Sequence, residues 1–200
     1  MLTIPEPVWH AVLDAFATAP PGHERVAYLD GVRFHDATGV RHGVATTVTL
    51  PDAHTTPGNY QVSARAMEQA GSHFEVLELV RLAQVHTHGN DWVNHSRTDD
   101  GRAYSQMDDA LSLVLPHHAA GRPTPFQAGV HLRGPQGWRR LHRDELENHV
   151  RLLPGTIDHR RHPWNACPTG TKETSTDAST PSTTSTRWPS RWWSRRKLPS

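Results

Sequence analysis

Leu79-Val80-Arg81-Leu82-Ala83-Gln84-Val85-His86-Thr87-His88 is an apolar-rich run that reads as a β-strand ending in two histidines. Successive strand side chains point to opposite faces, so His86 and His88 project the same way without backbone strain. A polar loop follows, and Ser96-Arg97-Thr98-Asp99 has the form of a capping box that opens a helix and returns Asp99 toward the histidines. Two imidazole nitrogens and one carboxylate oxygen leave a fourth tetrahedral position open. That is the pattern of a catalytic rather than a structural zinc site, and bound zinc brings the pKa of water toward about 7. A plainer reading makes Ser96 and Asp99 a helix cap and the histidines solvent-facing. The two are compatible, because a cap orients Asp99. The chain holds 16 histidines, so a His-x-His pair by itself is weak evidence.

Working outward, residues 5–17 place Val8, Val12, Leu13 and Phe16 at helical spacing, and Pro20-Pro21-Gly22 stops that helix. Residues 25–34 and 43–50 read as two strands around a turn with Asp36 and Gly39, and 51–59 as a loop. The period of Val62, Ala66, Ala70, Phe74 and Leu77 predicts a helix from Tyr60 to Leu77. Beyond the histidine strand, residues 111–116 form a short buried-type strand. Residues 126–133 and 138–142 form a hairpin, and 144–153 a closing helix with Leu146, Val150 and Leu153 on one side. The order α-β-β-α-β-α-β-β-β-α predicts an α/β (α+β) fold, a mixed β-sheet flanked by helices.

Length and composition allow one domain, residues 1–153, followed by a tail, residues 154–200. Thr and Ser dominate 169–186, too polar to offset the entropy of ordering, so the tail is expected to be disordered. Its end, Arg187 to Lys197, interleaves three tryptophans with five positive charges; it reads as a solvated tail, with an anionic partner as the alternative. A net charge of +1 gives no overall field toward nucleic acid or membrane. The single Cys167 excludes an internal disulfide and a thiolate zinc cluster. No signal peptide and no apolar run near the roughly 20 residues of a spanning helix are visible, so a cytoplasmic protein is expected. Lys172 and Lys197, both in the tail, are the only lysines.

The spacing His-x-His-x7-Ser-x2-Asp, with a glutamate upstream, resembles the signature of the JAB/MPN (JAMM) metalloproteases, in their prokaryotic branch, over residues 5–150. The resemblance implies a JAB/MPN, cytidine-deaminase-like architecture and one Zn2+ per chain on His86, His88 and Asp99. It also implies that Glu24 is the general base and that Ser96 hydrogen-bonds the developing oxyanion. Glu68, Glu75 and Glu78 are the other glutamates weighed for the base. Gly89 stands where the family usually has proline, and Val26-Ala27-Tyr28-Leu29 replaces its glycine-leucine run. The implied activity is a metallopeptidase or isopeptidase acting on a ubiquitin-like protein or peptide, with ubiquitin-like activating or conjugating enzymes as further partners. The rivals are a RadC-like DNA-repair branch, a non-catalytic MPN scaffold and a nucleic-acid-binding module resting on the tail. His95 is a candidate proton donor against simple exposure. Trp92 and Val93 are candidate walls of a peptide groove against simple packing.

Overall fold

The structure is a computed structural model that describes residues 1–155. The Thr/Ser-rich run, the Trp/Arg segment, Cys167 and both lysines lie outside the described residues. In chain order the elements are β1 (Leu2–Pro5), α1 (Glu6–Thr18), β2 (Val26–His35), β3 (Arg41–Thr49), β4 (Ala53–Thr56), β5 (Asn59–Val62), α2 (Ala64–Leu77), β6 (Val80–Thr87), α3 (Arg97–Arg102), β7 (Leu111–Leu115), β8 (Gly129–Gly134), β9 (Gly137–Arg140), α4 (Arg143–His149) and β10 (Val150–Leu153). Eight strands form one mixed sheet in the order β10-β1-β3-β2-β6-β7-β8-β9, and β4 and β5 form a separate hairpin. The expected mixed sheet with helices is therefore present.

Three segments differ from the sequence reading. Leu2 and Ile4 make β1, which pairs in parallel with β3 on one side and β10 on the other. Pro5 is then the N-cap of α1 rather than part of its first turn. Val150 to Leu153, expected to be helical, are β10. The spacing of Leu146, Val150 and Leu153 suits a helix, but pairing with β1 outweighs it, a tertiary contact that local periodicity does not encode. Tyr60 to Val62, expected to open a helix, instead pair with Ala53 to Thr55 in the β4–β5 hairpin. Helix α2 begins only after Ser63, whose Oγ accepts from the Ala66 N–H at 3.1 Å.

The sheet is covered on both faces. Helix α1 lays Trp9, Val12, Leu13 and Phe16 against the face carrying Ala27, Leu29, Ala83, Val85, Leu113 and Leu115, and this cluster is the hydrophobic core. Burying each large side chain contributes about 1.5–3 kcal/mol relative to leaving it in water. The opposite face carries Tyr28, Gln84, His86, Ser112 and His131, all buried, at the alternate positions of the same strands. Arg81 lies between the rings of Tyr28 and Phe74, 3.6 and 4.6 Å from their centroids, and bonds Asp30, which docks α2 on that face. No helix among the described residues is long and apolar enough to cross a membrane.

Candidate metal centre

His86 lies near the end of β6, where it sits opposite Val26 of β2 and Val114 of β7. Pairing on both sides fixes the strand. It continues past the last strand residue, with the Thr87 N–H bonded to the Arg25 carbonyl at 3.0 Å and the His88 N–H to the Leu115 carbonyl at 2.9 Å. His86, His88 and Asp99 converge. Their ligating atoms lie within 4.8 Å of one another, and all three residues are buried. His86 Nε2 is 3.5 Å from Asp99 Oδ1, and His88 Nε2 is 3.5 Å from Asp99 Oδ2.

Asp99 reaches this point through the cap. Its N–H donates to Ser96 Oγ at 3.1 Å, and its Oδ2 accepts from the Ser96 N–H at 2.7 Å. The capping reading and the ligand reading thus hold together in one residue. Gly129 is required by the same loop, because a Cβ there would lie 1.8 Å from the Val93 carbonyl oxygen; its absence lets the loop seat on β8. Val93 is consequently buried packing rather than a groove wall. Trp92 is 45 % exposed, stacks at 13° on the His88 ring and lines the cavity over the cluster.

The donor set fits a divalent cation. His88 Nδ1 lies 2.8 Å from the Trp92 carbonyl, which only accepts, so Nδ1 donates and Nε2, 3.5 Å from Asp99 Oδ2, is the nitrogen that can ligate once the ring is neutral. His86 Nε2 is buried with no hydrogen-bond partner among the described residues, a costly state for a polar atom unless it is a ligand. Burial drives the His86 pKa down to about 3 against the pull of Asp99, so its imidazole is neutral, the ligating form. For His88 burial acts downward, but the Asp99 bond and the Trp92 carbonyl outweigh it and the pKa is raised. For Asp99 burial acts upward, and the hydrogen bonds from His88 and Ser96 with the charge of His86 hold it well below the usual carboxylate range. The nitrogen–oxygen set suits a borderline first-row divalent cation, zinc or iron among them, rather than a soft or a hard ion.

Glu24 lies two residues before β2. It is buried, its N–H is held by the Thr56 carbonyl at 2.8 Å, and it lines the same cavity of about 400 Å³ as His88, Ser96 and Asp99. Burial raises its carboxyl to about 7, with His88 lowering and Asp99 raising it; a cation beside it would draw it back down. Glu68 and Glu75 are exposed on α2, and Glu78 is exposed at its left-handed C-cap. None of the three lines the cavity.

His95 does not line that cavity. Its Nδ1 lies 2.9 Å from Asp100 Oδ1 and its Nε2 2.9 Å from Ser112 Oγ, and its ring stacks on His131 with centroids 3.9 Å apart. The Asp100 carboxylate can only accept, so Nδ1 donates and Nε2 accepts from the Ser112 hydroxyl. The arrangement has the members of a Ser-His-Asp triad, but Ser112 is fully buried and reaches no substrate. It ties α3 to β7 and with it the loop that carries Ser96 and Asp99. Sequence reading also missed Gln84 and Tyr60. Gln84 Nε2 is 3.4 Å from His86 Nδ1 and 2.6 Å from the Tyr60 hydroxyl, and the Tyr60 ring lies 5.2 Å from that of His86. The strand alternation that joins His86 to His88 reaches back to Gln84 and could have found it. Tyr60 had no such signal, because the hairpin that carries it was read as loop and helix.

No protein-family model matches the chain, and no curated protein matches it in sequence. Solved structures do. One is the solution structure of a protein from Desulfitobacterium hafniense, 17% identical over 81% of this chain and 99% of that chain, with a TM-score of 0.58. A solution structure from Salinibacter ruber is 14% identical over 71% of this chain and 89% of that one, TM-score 0.47. A crystal structure described as a JAB1/MPN domain protein from Archaeoglobus fulgidus is 11% identical over 76% and 97%, TM-score 0.42. The first of these establishes a shared fold.

Proposed function

We propose that the chain is a zinc-dependent amide hydrolase, a peptidase or isopeptidase that acts in the cytoplasm on the C-terminal tail of a ubiquitin-like protein or on its lysine conjugate. The observation that carries the reading is the convergence of His86, His88 and Asp99 in one buried cluster, with His86 Nε2 left without a hydrogen bond. The JAMM-type spacing of the same residues supports it and suggests the substrate class. His86, His88 and Asp99 would hold the ion, which supplies an activated water at neutral pH and Lewis-acid polarisation of the carbonyl. Glu24 takes the proton from the attacking water and returns it to the leaving amine. The Ser96 hydroxyl accepts from the Asp99 N–H and keeps its own proton to donate to the carbonyl oxygen as charge develops there. A buried imidazole nitrogen at His86 with no hydrogen bond, beside a second histidine and a carboxylate, is unfavourable in a scaffold without an ion, so the catalytic reading is favoured over that rival.

The test joins metal content to turnover. Purified protein should hold about one zinc per chain. Glu24→Gln should keep the zinc and the melting temperature while cleavage of a ubiquitin-like fusion falls by roughly 10²–10⁴-fold. Loss of zinc in that variant would make Glu24 a ligand, and retained activity would move the base elsewhere.

A further inference from the structure

A second cavity, of about 220 Å³, adjoins the metal centre. Asn59, Thr98 and Asp99 line both it and the larger cavity over the cluster, so the two are neighbours across the ligand Asp99. Its volume is below the roughly 300–1,000 Å³ of sites that take whole small molecules, and suits a single side chain. Tyr28, Tyr60 and Tyr104 line it, together with Met67 and Val62. Each phenol hydroxyl already has one hydrogen bond. Tyr28 bonds Met67 Sδ at 3.3 Å, Tyr60 meets Gln84 Nε2 at 2.6 Å, and Tyr104 donates to the Leu82 carbonyl at 3.4 Å. The tyrosines offer ring surface to an occupant, while the Tyr60 hydroxyl, which accepts from Gln84, and the Gln61 and Gln84 side chains keep some hydrogen-bonding capacity toward it. Among the described residues, Asp99 is the only charged side chain on the wall.

We infer that this cavity is a specificity subsite that takes a large uncharged side chain, aromatic or long aliphatic, from the substrate residue next to the scissile bond. The inference rests on the hydrolase reading and deepens it. A chain whose carbonyl reaches the His86–His88–Asp99 cluster carries its flanking side chain past Thr98 and Asp99, the shared wall. Glycine leaves the cavity unfilled there. Among the described residues, no lysine or arginine lines the cavity to pair with an aspartate or glutamate side chain, so an acidic residue gains nothing there. Tyr60 links the two sites, since its ring both walls the cavity and packs against His86. The preferred substrate thus carries a bulky uncharged residue beside the scissile bond.

Binding and cleavage are read separately. Fluorescein-labelled ten-residue Ala/Ser peptides, each carrying one Phe or one Gly at successive positions, are titrated into zinc-loaded Glu24→Gln protein by fluorescence polarisation. The same peptides are given to the parent enzyme, and cut bonds are mapped by mass spectrometry. At one position Phe should bind and be cut at least about tenfold better than Gly, the low end of what filling an apolar pocket gives. Val62→Trp, which fills the cavity from the hairpin, should erase that preference. Tyr104→Ala, also outside the core cluster, should weaken Phe binding and serves if the first variant does not fold. Equal binding of Phe and Gly peptides at every position, or a preference untouched by both variants, overturns the subsite. Cleavage without preference overturns the subsite alone. Preferential binding of Phe without cleavage by the zinc-loaded parent leaves the subsite standing and overturns the hydrolase reading.

Discussion

On β6, Ala83 and Val85 turn one way and Gln84 and His86 the other, and the two sides of the sheet obey different rules. The α1 side is closed by contact among apolar groups of interchangeable kind, where volume and dryness decide stability. The α2 side buries histidines, a glutamine and a serine, where each polar atom needs its own partner and small displacements are costly. The same strands supply both. Their pairing, stabilised from the apolar side, therefore holds the polar side rigid, and the candidate centre sits at the end of β6 and on a capped helix rather than on loops alone.

The widest separation between the sides should come from crossing a ligand deletion with a core deletion. His86→Ala should lose most of the bound zinc and all measurable cleavage, while metal-free stability holds or rises, since a buried, unbonded imidazole nitrogen is removed. Leu113→Ala should cost about 2–5 kcal/mol in urea unfolding and keep a full zinc equivalent at temperatures where the protein stays folded. If Leu113→Ala drops zinc from folded protein as readily as His86→Ala, the division between the faces is broken.

Acidification should separate them next. His86 and His131 are both driven down to about 3 by burial, with His95 adding to the effect at His131. Their unfolded pKa is about 6.5, so between pH 6.5 and 3 the unfolded chain binds protons that the folded chain refuses. Stability then falls as pH falls through that window, by up to about 1.4 kcal/mol per pH unit for each group. Asp99, held low, adds a loss that begins as pH drops past the ordinary carboxylate range. His88, raised, acts in the opposite sense and is favourable at low pH. Glu24, raised to about 7, also acts in the opposite sense as pH falls from 7 toward the ordinary carboxylate range, but two deeply lowered histidines outweigh both. The metal-free protein should therefore melt at progressively lower temperature from pH 6.5 to 4, and His131→Leu should flatten the slope. An unchanged slope in that variant would show that His131 accepts its proton in the folded state.

The apolar side was largely legible in the sequence, and the polar side only in part. Val12, Leu13 and Phe16 announce α1 by period, and the alternation of β6 announces which way His86 and His88 face. Asp99 was legible because its cap is local in sequence. What stayed hidden depends on contacts far apart in the chain. β1 and β10 exist because they pair with each other across nearly the whole domain, and Val150 to Leu153 carry a spacing that fits either structure. The β4–β5 hairpin supplies Tyr60 and Asn59 to the site, yet four-residue strands around Pro57-Gly58 look like loop. The partners of His95 lie 5 and 17 residues away, on a helix and a strand whose approach no spacing rule foretells.

That network gives a smaller, sharper effect. His95→Ala should weaken zinc binding by roughly 10–100-fold, the usual cost of losing a group that orients ligands, while leaving the ligands themselves in place. Ser112→Ala should show part of the same loss, and the double variant should not exceed His95→Ala alone if both act through one contact. Competition with a fluorescent zinc chelator reads the affinity. An undiminished affinity in His95→Ala would reduce the network to packing.

The least effect is expected at Gly89, where the signature that the sequence resembles usually has proline. A Cβ at this position would lie 3.0 Å from His118 Nε2 and 3.2 Å from its Cε1, tighter than ordinary contact but against the end of a side chain rather than backbone. His118 is held there. Its N–H bonds the His88 carbonyl at 2.8 Å, and its backbone is left-handed at φ 54° between two other left-handed residues, His117 and Ala119. The glycine thus accommodates a histidine ring packed against the residue that follows ligand His88. Gly89→Ala should cost no more than about 1 kcal/mol, because the ring can yield by a few tenths of an ångström. With His118→Ala in place, the same substitution should cost nothing or stabilise slightly by narrowing the unfolded ensemble. A double-mutant cycle in urea isolates the coupling. Coupling near zero would mean that the glycine answers to the backbone path of the loop and not to His118; a clear coupling explains the departure at position 89 by a neighbour 29 residues further along the chain.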